Sequence, residues 1–403
     1  MSTLCEKTIE TVKASVPFLS ENALKLTCHF YQRMFKENPE VKVFFNPAHQ
    51  VSGSQQAALA GAVCSFAENI ETPEKLAAAV ELIGNKHASL GVKAEHYPVV
   101  GKHLLGAIDD LLDPAPPEIL EAWGEAYGFL ADVLIGREKE LYKEMAWEGF
   151  KEFEVAQIVE ESEVIRSFYL KAADGAEAPA SKPGQYVTLR LPDGNGSTTM
   201  RNYSLSSHGC SELLRISVKR ESPQHADQPQ GYASNYLHDS VKAGDRLELG
   251  APCGEFYLDV EAHEKSGIPV LLLSGGVGVT PMLAMLQASA GRTFPVTFVQ
   301  GAMNAAQHAF SEEVAKLADA NANVIKHVRY SAPAEGDMPD SEGLFDEAFL
   351  SEFITTETEV YFCGPKPMMA HVLGALESMG HPQEKVHYEF FGPAEELKKC
   401  PMH

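Results

Sequence analysis

"PVLLLSGGVGVTPML", residues 269–283, decides how the second half of the chain folds. The apolar run Val270–Leu273 meets Gly275, Gly276 and Gly278, and a second apolar pattern starts after Thr280 and Pro281. A buried strand followed by a tight turn and a helix start fits this order. Backbone N–H groups at such a turn can approach a pyrophosphate, and the helix N-terminus adds its positive dipole end. A tight turn without a ligand would use the same glycines. A second feature adds weight: "EVYFCGP" (359–365) ends another apolar run in Cys363, Gly364 and Pro365. Ligands of open parallel sheets gather at the carboxyl ends of strands. With "VTFVQGA" (296–302) between the two, helical patterns following each run predict a βαβ series and a parallel sheet.

The uncharged segment Ser266–Gly291 contains this turn and is long enough to cross a bilayer. Its glycines and Pro281 split it into a short run and a helix, so no transmembrane segment is expected.

Upstream, the pattern is of short strands: "FEVAQIV", "VIRSFYLKA", "QYVTLRL", "RNYSLSS", "LRISVKR", "DRLELGAP" and "EFYLDV", between 153 and 260. Turn residues separate them, as in a small antiparallel barrel. "RNYS" is the sharpest motif here. Arg201 offers a fork of donors suited to phosphate, Tyr203 a ring to stack, and Ser204 a hydroxyl for a ring nitrogen. "GYASN" (231–235) follows "ESPQHADQPQG", which is expected to be a mobile loop.

Before "MAWEGF" the chain reads as helical throughout, with apolar spacings of three and four. Four stripes stand out: Leu24, Cys28, Tyr31, Phe35; then Gln55, Leu59, Ala62, Phe66, Ile70; then Leu76, Val80, Ile83, His87, Leu90; then Tyr97, Val100, Leu104, Ile108, Leu111. "DPAPPE" (113–118) breaks two helices, and a last helix runs to about Lys143. Tyr31, Gln55 and His87 are polar residues on otherwise apolar stripes. A haem site would use one axial imidazole and hydrogen-bond donors opposite, whereas a lone histidine on such a stripe also serves as a hydrogen-bonded core residue. His96 and His103 fall off the stripe of their helix and are expected at the surface.

Composition narrows the function. The chain has 403 residues and a formal charge of −23, which argues against nucleic acid or an anionic membrane as partner. Apolar residues make up 44%, ample for packed cores. Seven cysteines, an odd number without a CxxC pair, read as a reduced cytosolic set. The N-terminus lacks a signal-peptide pattern, which gives a cytoplasmic expectation.

From Phe150 to Pro393 the sequence resembles the ferredoxin–NADP reductase family, through "RNYS", "GGVGVTP", "CGP" and "HYEFFGP". The resemblance implies that Tyr186, Arg201, Asn202, Tyr203, Ser204 and Ser234 line FAD. It implies that Gly275, Gly276, Val277, Gly278, Val279, Thr280 and Pro281, with Cys363, Gly364 and Pro365, hold NADH or NADPH. Phe391 would cover the flavin, beside Glu389, Phe390, Gly392 and Pro393.

Over essentially the whole chain the sequence resembles the flavohaemoglobins. "HFYQRMF", "VFFNPAHQ", "GSQQAAL", "NKHASLGV" and "WGEAYG" follow that family's pattern in order. The resemblance makes His87 the iron ligand of a haem b. It places Tyr31 and Gln55 in the distal pocket, Phe45 in haem packing, Tyr97 and Glu138 in the proximal network, and Lys86 near the haem–flavin junction. The implied fold is an all-α globin domain (1–146), an antiparallel β-barrel FAD domain (147–264) and an α/β NAD(P)-binding domain with a parallel sheet (265–403). The implied activity is nitric oxide dioxygenation by a cytoplasmic monomer acting on O2, nitric oxide and NAD(P)H. An oxygen-storing or sensing haemoprotein with a built-in reductase is the alternative. A reductase for an external acceptor, with a purely structural helical domain, is a second.

The sequence departs from relatives in three places. The linker "AWEGF" has a single Gly, Phe390 is bulky and could alter nicotinamide access, and the tail "AEELKKCPMH" is long.

Overall fold

A computed structural model describes residues 4–194, 196–210, 212–222 and 231–392. Most of the expected loop at 221–231, Pro393 and the tail therefore lie outside the described residues. Two compact units emerge. The first runs to Gly149 and includes 190–201; the second comprises 150–189 and 202–391.

The first unit holds α1 (Glu6–Glu21), α2 (Ala23–Glu37), α3 (Pro47–Ser52), α4 (Ser54–Glu68), α5 (Ala77–Leu90), α6 (Tyr97–Leu112) and α7 (Pro117–Glu144). Local chemistry sets the ends. Asn46 caps α3 through its side chain, with Pro47 next. Gly91, at φ 76°, ends α5 in the left-handed conformation that glycine tolerates. Pro114 and Pro116 separate α6 from α7 as expected. Val12, Phe30, Met34, Ile108 and Trp123 form the core.

Two readings of the helices need correction. Leu24 is 55% exposed, and α2 instead buries Leu26, Phe30 and Met34. His103 is wholly buried rather than at the surface. The reason is that α6 packs against both α2 and α7, so two faces are covered and a single stripe underestimates burial. His103 Nε2 lies 2.9 Å from Asn38 Oδ1.

Beyond Gly149 the chain forms β1 (Phe150–Glu160), β2 (Ile165–Ala172), β3 (Tyr186–Pro192), β4 (Thr198–Ser204), β5 (Leu214–Lys219), α8 (Tyr232–Asp239), β6 (Arg246–Gly250) and α9 (Val260–Ser266), of which the end of β3 and the start of β4 group with the first unit. The antiparallel sheet has the order β4-β3-β6-β1-β2-β5. A bridge between Leu205 and Ile216 joins its two ends, which removes exposed edges as a barrel does. "EFYLDV" is not a strand. Phe256 and Leu258 are buried in the core next to the parallel sheet, and Asp259 caps α9 by accepting from Ala262 N. Burial against the neighbouring sheet, rather than pairing, explains its alternation.

Next come β7 (Val270–Gly275), α10 (Val279–Ser289), β8 (Val296–Ala302), α11 (Ser311–Ala320), β9 (Val324–Tyr330), β10 (Ser341–Glu342), α12 (Glu347–Leu350), β11 (Glu359–Cys363), α13 (Lys366–Ser378) and β12 (Val386–Glu389). Their sheet is parallel, in the order β10-β9-β8-β7-β11-β12. Every residue of β7 is buried, as a strand covered on both faces requires. Among the described residues no helix is long and apolar enough to cross a membrane.

Candidate active site

In the first unit, two clusters form around the singled-out residues. Tyr31, on α2, is 4% exposed. Its ring packs edge-on against Phe45 at 5.5 Å and lies 5.6 Å from Phe35. Burial pushes its hydroxyl pKa well up, against a smaller opposing pull from a Gln55 side-chain hydrogen bond. The hydroxyl therefore keeps its proton and stays a donor.

The other cluster joins three elements. His87 is on α5, Tyr97 at the start of α6, and Glu138 on α7. His87 Nδ1 lies 2.8 Å from Glu138 Oε1 and 3.1 Å from the Tyr97 hydroxyl. Tyr97 donates to the same Glu138 oxygen. Glu138 is 2% exposed, so the carboxylate needs such donors to be tolerated. With Nδ1 donating to the carboxylate, Nε2 carries the free lone pair. Burial first, and Glu138 second, raise the Tyr97 pKa, so Tyr97 is the proton donor of that bond.

Residues not singled out from the sequence brace this cluster. Tyr127 donates to the Tyr97 carbonyl at 2.7 Å, and Tyr142 to the Val92 carbonyl at 2.5 Å. Arg137 grips Glu81 of α5 with two N–H groups, at 2.6 and 2.7 Å. All three lie on α7, whose spacing alone marks no face as functional. Lys86 is exposed.

In the second unit, β7 and β11 are neighbours, and Ser274 stands opposite Cys363. This puts the Gly275–Pro281 turn beside Cys363–Pro365 at the carboxyl ends of two strands. Contact there is close: a Cβ on Gly278 would lie 2.2 Å from the Cys363 carbonyl oxygen, and one on Gly275 2.2 Å from Met368 Sδ. Gly276, at φ 53°, is exposed with open space around it. No side chain caps α10, so its first N–H groups face the turn. Thr280 Oγ1 bonds back to the Val277 carbonyl at 2.9 Å. Val279 and Pro281 are buried, and Val277 is half-buried. Cys363 is fully buried, and burial with the nearby Glu389 charge raises its thiol pKa. Glu389 stands opposite Cys363 in the β11–β12 register.

Tyr186 and Ser204 are buried, while Asn202 and Tyr203 are half-buried. The Tyr186 ring sits against Gly254, where a Cβ would come within 2.9 Å. Thr188 donates to Asn202 Oδ1 at 3.1 Å. Arg201 donates to Thr199 Oγ1 at 2.7 Å and to the Met200 carbonyl at 2.6 Å. Ser234 accepts from Glu221 N at 3.1 Å and donates to the Gly231 carbonyl at 3.2 Å. Phe390 packs against the cluster of Leu271, Phe362 and Met369, which takes up its bulk. Phe391 is 45% exposed, and Gly392 is half-buried.

Known proteins match this chain in the same three regions. The globin family matches residues 28–134, the oxidoreductase FAD-binding domain 152–257, and the oxidoreductase NAD-binding domain 272–373. A flavohemoprotein of Rhodopirellula baltica is 48% identical, over 98% of this chain and 99% of that relative. Another, from Bacillus thuringiensis subsp. konkukian, is 46% identical over 98% of this chain and all of the relative. The chain belongs to the flavohemoprotein family. Among solved structures, a flavohemoglobin from Malassezia yamatoensis with bound FAD and heme shares a TM-score of 0.86 at 27% identity. It covers 97% of this chain and 100% of its own. The FAD/NAD-binding domain of a Vibrio cholerae nitric oxide dioxygenase is 34% identical, with a TM-score of 0.53, over 60% of this chain and 99% of its own.

As a flavohemoprotein, the chain takes haem, FAD and a nicotinamide nucleotide, and it is an oxidoreductase. Its residues fit those groups. The Glu138 contact at Nδ1 leaves the second His87 nitrogen free, as an iron ligand would need. The glycines of the turn would present backbone, not side chains, to a nucleotide.

Proposed function

We propose that this flavohemoprotein is a nitric oxide dioxygenase that turns nitric oxide and O2 into nitrate with electrons from NAD(P)H. The observation that carries the reading is His87, held through Nδ1 by Glu138 and Tyr97, in a chain that also bears the glycine turn beside "CGP". When bound, haem would supply the iron where the two gases react, the nicotinamide would bring a hydride, and FAD would accept it, pass its two electrons on one at a time and release the proton.

His87 Nε2 holds the iron. Glu138 and Tyr97 fix the ring and make it more basic, which pushes electron density toward the metal. Tyr31, assisted by Gln55, donates a hydrogen bond to the diatomic substrate, and Phe45 packs the haem. Lys86 and Glu389 tune redox potentials by their charge. Tyr186, Arg201 to Ser204 and Ser234 line the flavin. Phe391 covers it, with Phe390 and Gly392 alongside. Gly275 to Pro281 and Cys363 to Pro365 hold the nucleotide. Residues 1–146, 147–264 and 265–403 are the corresponding domains.

NADH is the favoured nucleotide. "GAMNAAQHAF", from the end of β8 onward, offers no basic cluster for a 2′-phosphate. Burial lowers the pKa of His308 there, so it stays neutral. The protein works as a cytoplasmic monomer.

Anaerobic NADH addition tests the electron path. Flavin absorbance should bleach, and the Soret band should then shift to its ferrous position. A bleached flavin beside an unchanged Soret band would favour a reductase for an external acceptor.

Tyr31→Phe should keep haem and flavin but speed O2 release. The ring still fills its space and only the donor is lost, so about 1–3 kcal/mol, or one to two decades in off-rate, should go. Because burial raises the Tyr31 pKa, the wild-type off-rate should stay flat from pH 7 through the ordinary tyrosine value of about 10. Stopped-flow O2 dissociation measures both. An equal off-rate in the variant would place Tyr31 away from the iron.

Arg201→Ala should weaken FAD binding by about 1.5 kcal/mol, roughly tenfold, the scale of one charge-assisted hydrogen bond. Flavin retained after desalting, measured by fluorescence, checks this. Haem content should not change.

A further inference from the structure

Arg215, on β5, is 4% exposed, and none of the roles above uses it. A buried guanidinium is costly unless its donors are satisfied, and here all five are. NH1 donates to Glu313 Oε2 at 2.8 Å and to the Tyr169 hydroxyl at 3.3 Å. NH2 donates to Glu313 Oε1 at 3.1 Å and to the Ser206 carbonyl, and Nε to Ser206 Oγ at 3.2 Å. The guanidinium also lies over the Phe310 and Tyr169 rings, at 5.2 and 5.7 Å.

The partners of this residue come from the antiparallel sheet and its edge and from the α11 region that follows β8. Ser206 follows "RNYS" by two residues. Its N–H bonds to the Arg215 carbonyl at 2.8 Å, which joins the end of the flavin-motif strand to β5. Glu313 is on α11, which follows β8 of the parallel sheet. Gln287, on α10, donates to Glu313 and accepts from His208 N at 2.6 Å. The same helix begins at the glycine turn. Phe310, just before α11, is held at φ 62°. A bulky residue adopts that conformation only where its surroundings enforce it. The Arg215–Glu313 ion pair thus ties the chain just after Ser204, through Ser206, to α10 at the glycine turn, through Gln287.

We infer that Arg215 and Glu313, with Gln287, are positioning residues that set the approach of nicotinamide to flavin. The inference rests on the reductase reading of this unit. In hydride transfer the C–H bond of the dihydronicotinamide breaks and an N–H bond to the flavin forms, two electrons moving with the hydrogen. A displacement of about 1 Å in such a geometry can cost about 100-fold in rate. None of the residues assigned above to the flavin or the nucleotide belongs to the cluster, so it acts through the spacing of the elements that hold them.

The test is stopped-flow reduction of the holoprotein's flavin by NADH and by NADH deuterated at the transferred position. Glu313→Gln keeps the size and removes the charge. Its limiting rate should fall about 10- to 100-fold, the scale of a misplaced reacting pair. The isotope effect should rise, the long-wavelength nicotinamide–flavin charge-transfer absorbance should weaken, and the NADH dissociation constant and flavin content should hold. Glu313→Asp should recover part of the rate. If Glu313→Gln does not fold, Gln287→Leu carries the same measurement. An unchanged limiting rate, or a loss confined to NADH affinity, overturns the inference. Wild-type flavin that NADH does not reduce would overturn the underlying reading instead.

Discussion

His87→Ala should abolish stable haem binding and erase the Soret band, while FAD content and NADH oxidation by ferricyanide persist. Nε2 of His87 is the nitrogen left free when Nδ1 engages Glu138 at 2.8 Å, and alanine offers no ligand in its place. The fold should survive, because Tyr97 still donates to the Glu138 carboxylate. Added imidazole should restore the band by entering the space the ring left. The measurement is the absorbance spectrum after haem reconstitution and desalting. A normal Soret band without imidazole would contradict the assignment.

Gly278→Ala should cripple NADH-driven flavin reduction, by about 100-fold or more, with haem and FAD retained. The new Cβ would stand 2.2 Å from the Cys363 carbonyl oxygen, 2.4 Å from its carbon and 2.7 Å from Gly364 N. All three are backbone atoms and cannot rotate away. Relief requires separating the Gly turn from the "CGP" turn, an overpacking cost of about 1–3 kcal/mol or more. Gly374→Ala is the control. It lies on α13 with nothing within 4 Å of the added carbon, so the rate of flavin reduction should not change. Equal rates in wild type and Gly278→Ala would mean that the turn does not hold the nucleotide.

These two sites were legible for different reasons. The glycine turn announces itself locally, because a strand, close backbone approach and a helix start leave a pattern within fifteen residues. The proximal set does not. His87 and Glu138 are 51 positions apart, and Glu138 lies in "REKE" (137–140), a run of charges that by itself marks no buried position. Only family resemblance pointed to Glu138, and its burial became visible once α5 and α7 were packed together.

Where the pattern misled, tertiary packing was the cause. His103 falls off an apolar stripe yet is wholly buried, because α6 is covered on two sides. "EFYLDV" alternates like a strand but inserts Phe256 and Leu258 into the core beside the parallel sheet. Arg215 sits in "LRISVKR", a strand buried on both faces from Leu214 to Val218. Alternation there cannot distinguish a core position from an ion pair, and its partner Glu313 is 98 residues away.

The dioxygenase reading rests finally on turnover. Nitric oxide added under air to purified holoprotein with excess NADH can be followed by electrode, with nitrate measured afterwards. Many nitric oxide molecules should disappear per haem, nitrate should form mole for mole, and the loss should stop when NADH or O2 is withheld. A single nitrate per haem followed by arrest, with NADH still in excess, would contradict the account and leave an oxygen-binding haemoprotein with a reductase attached.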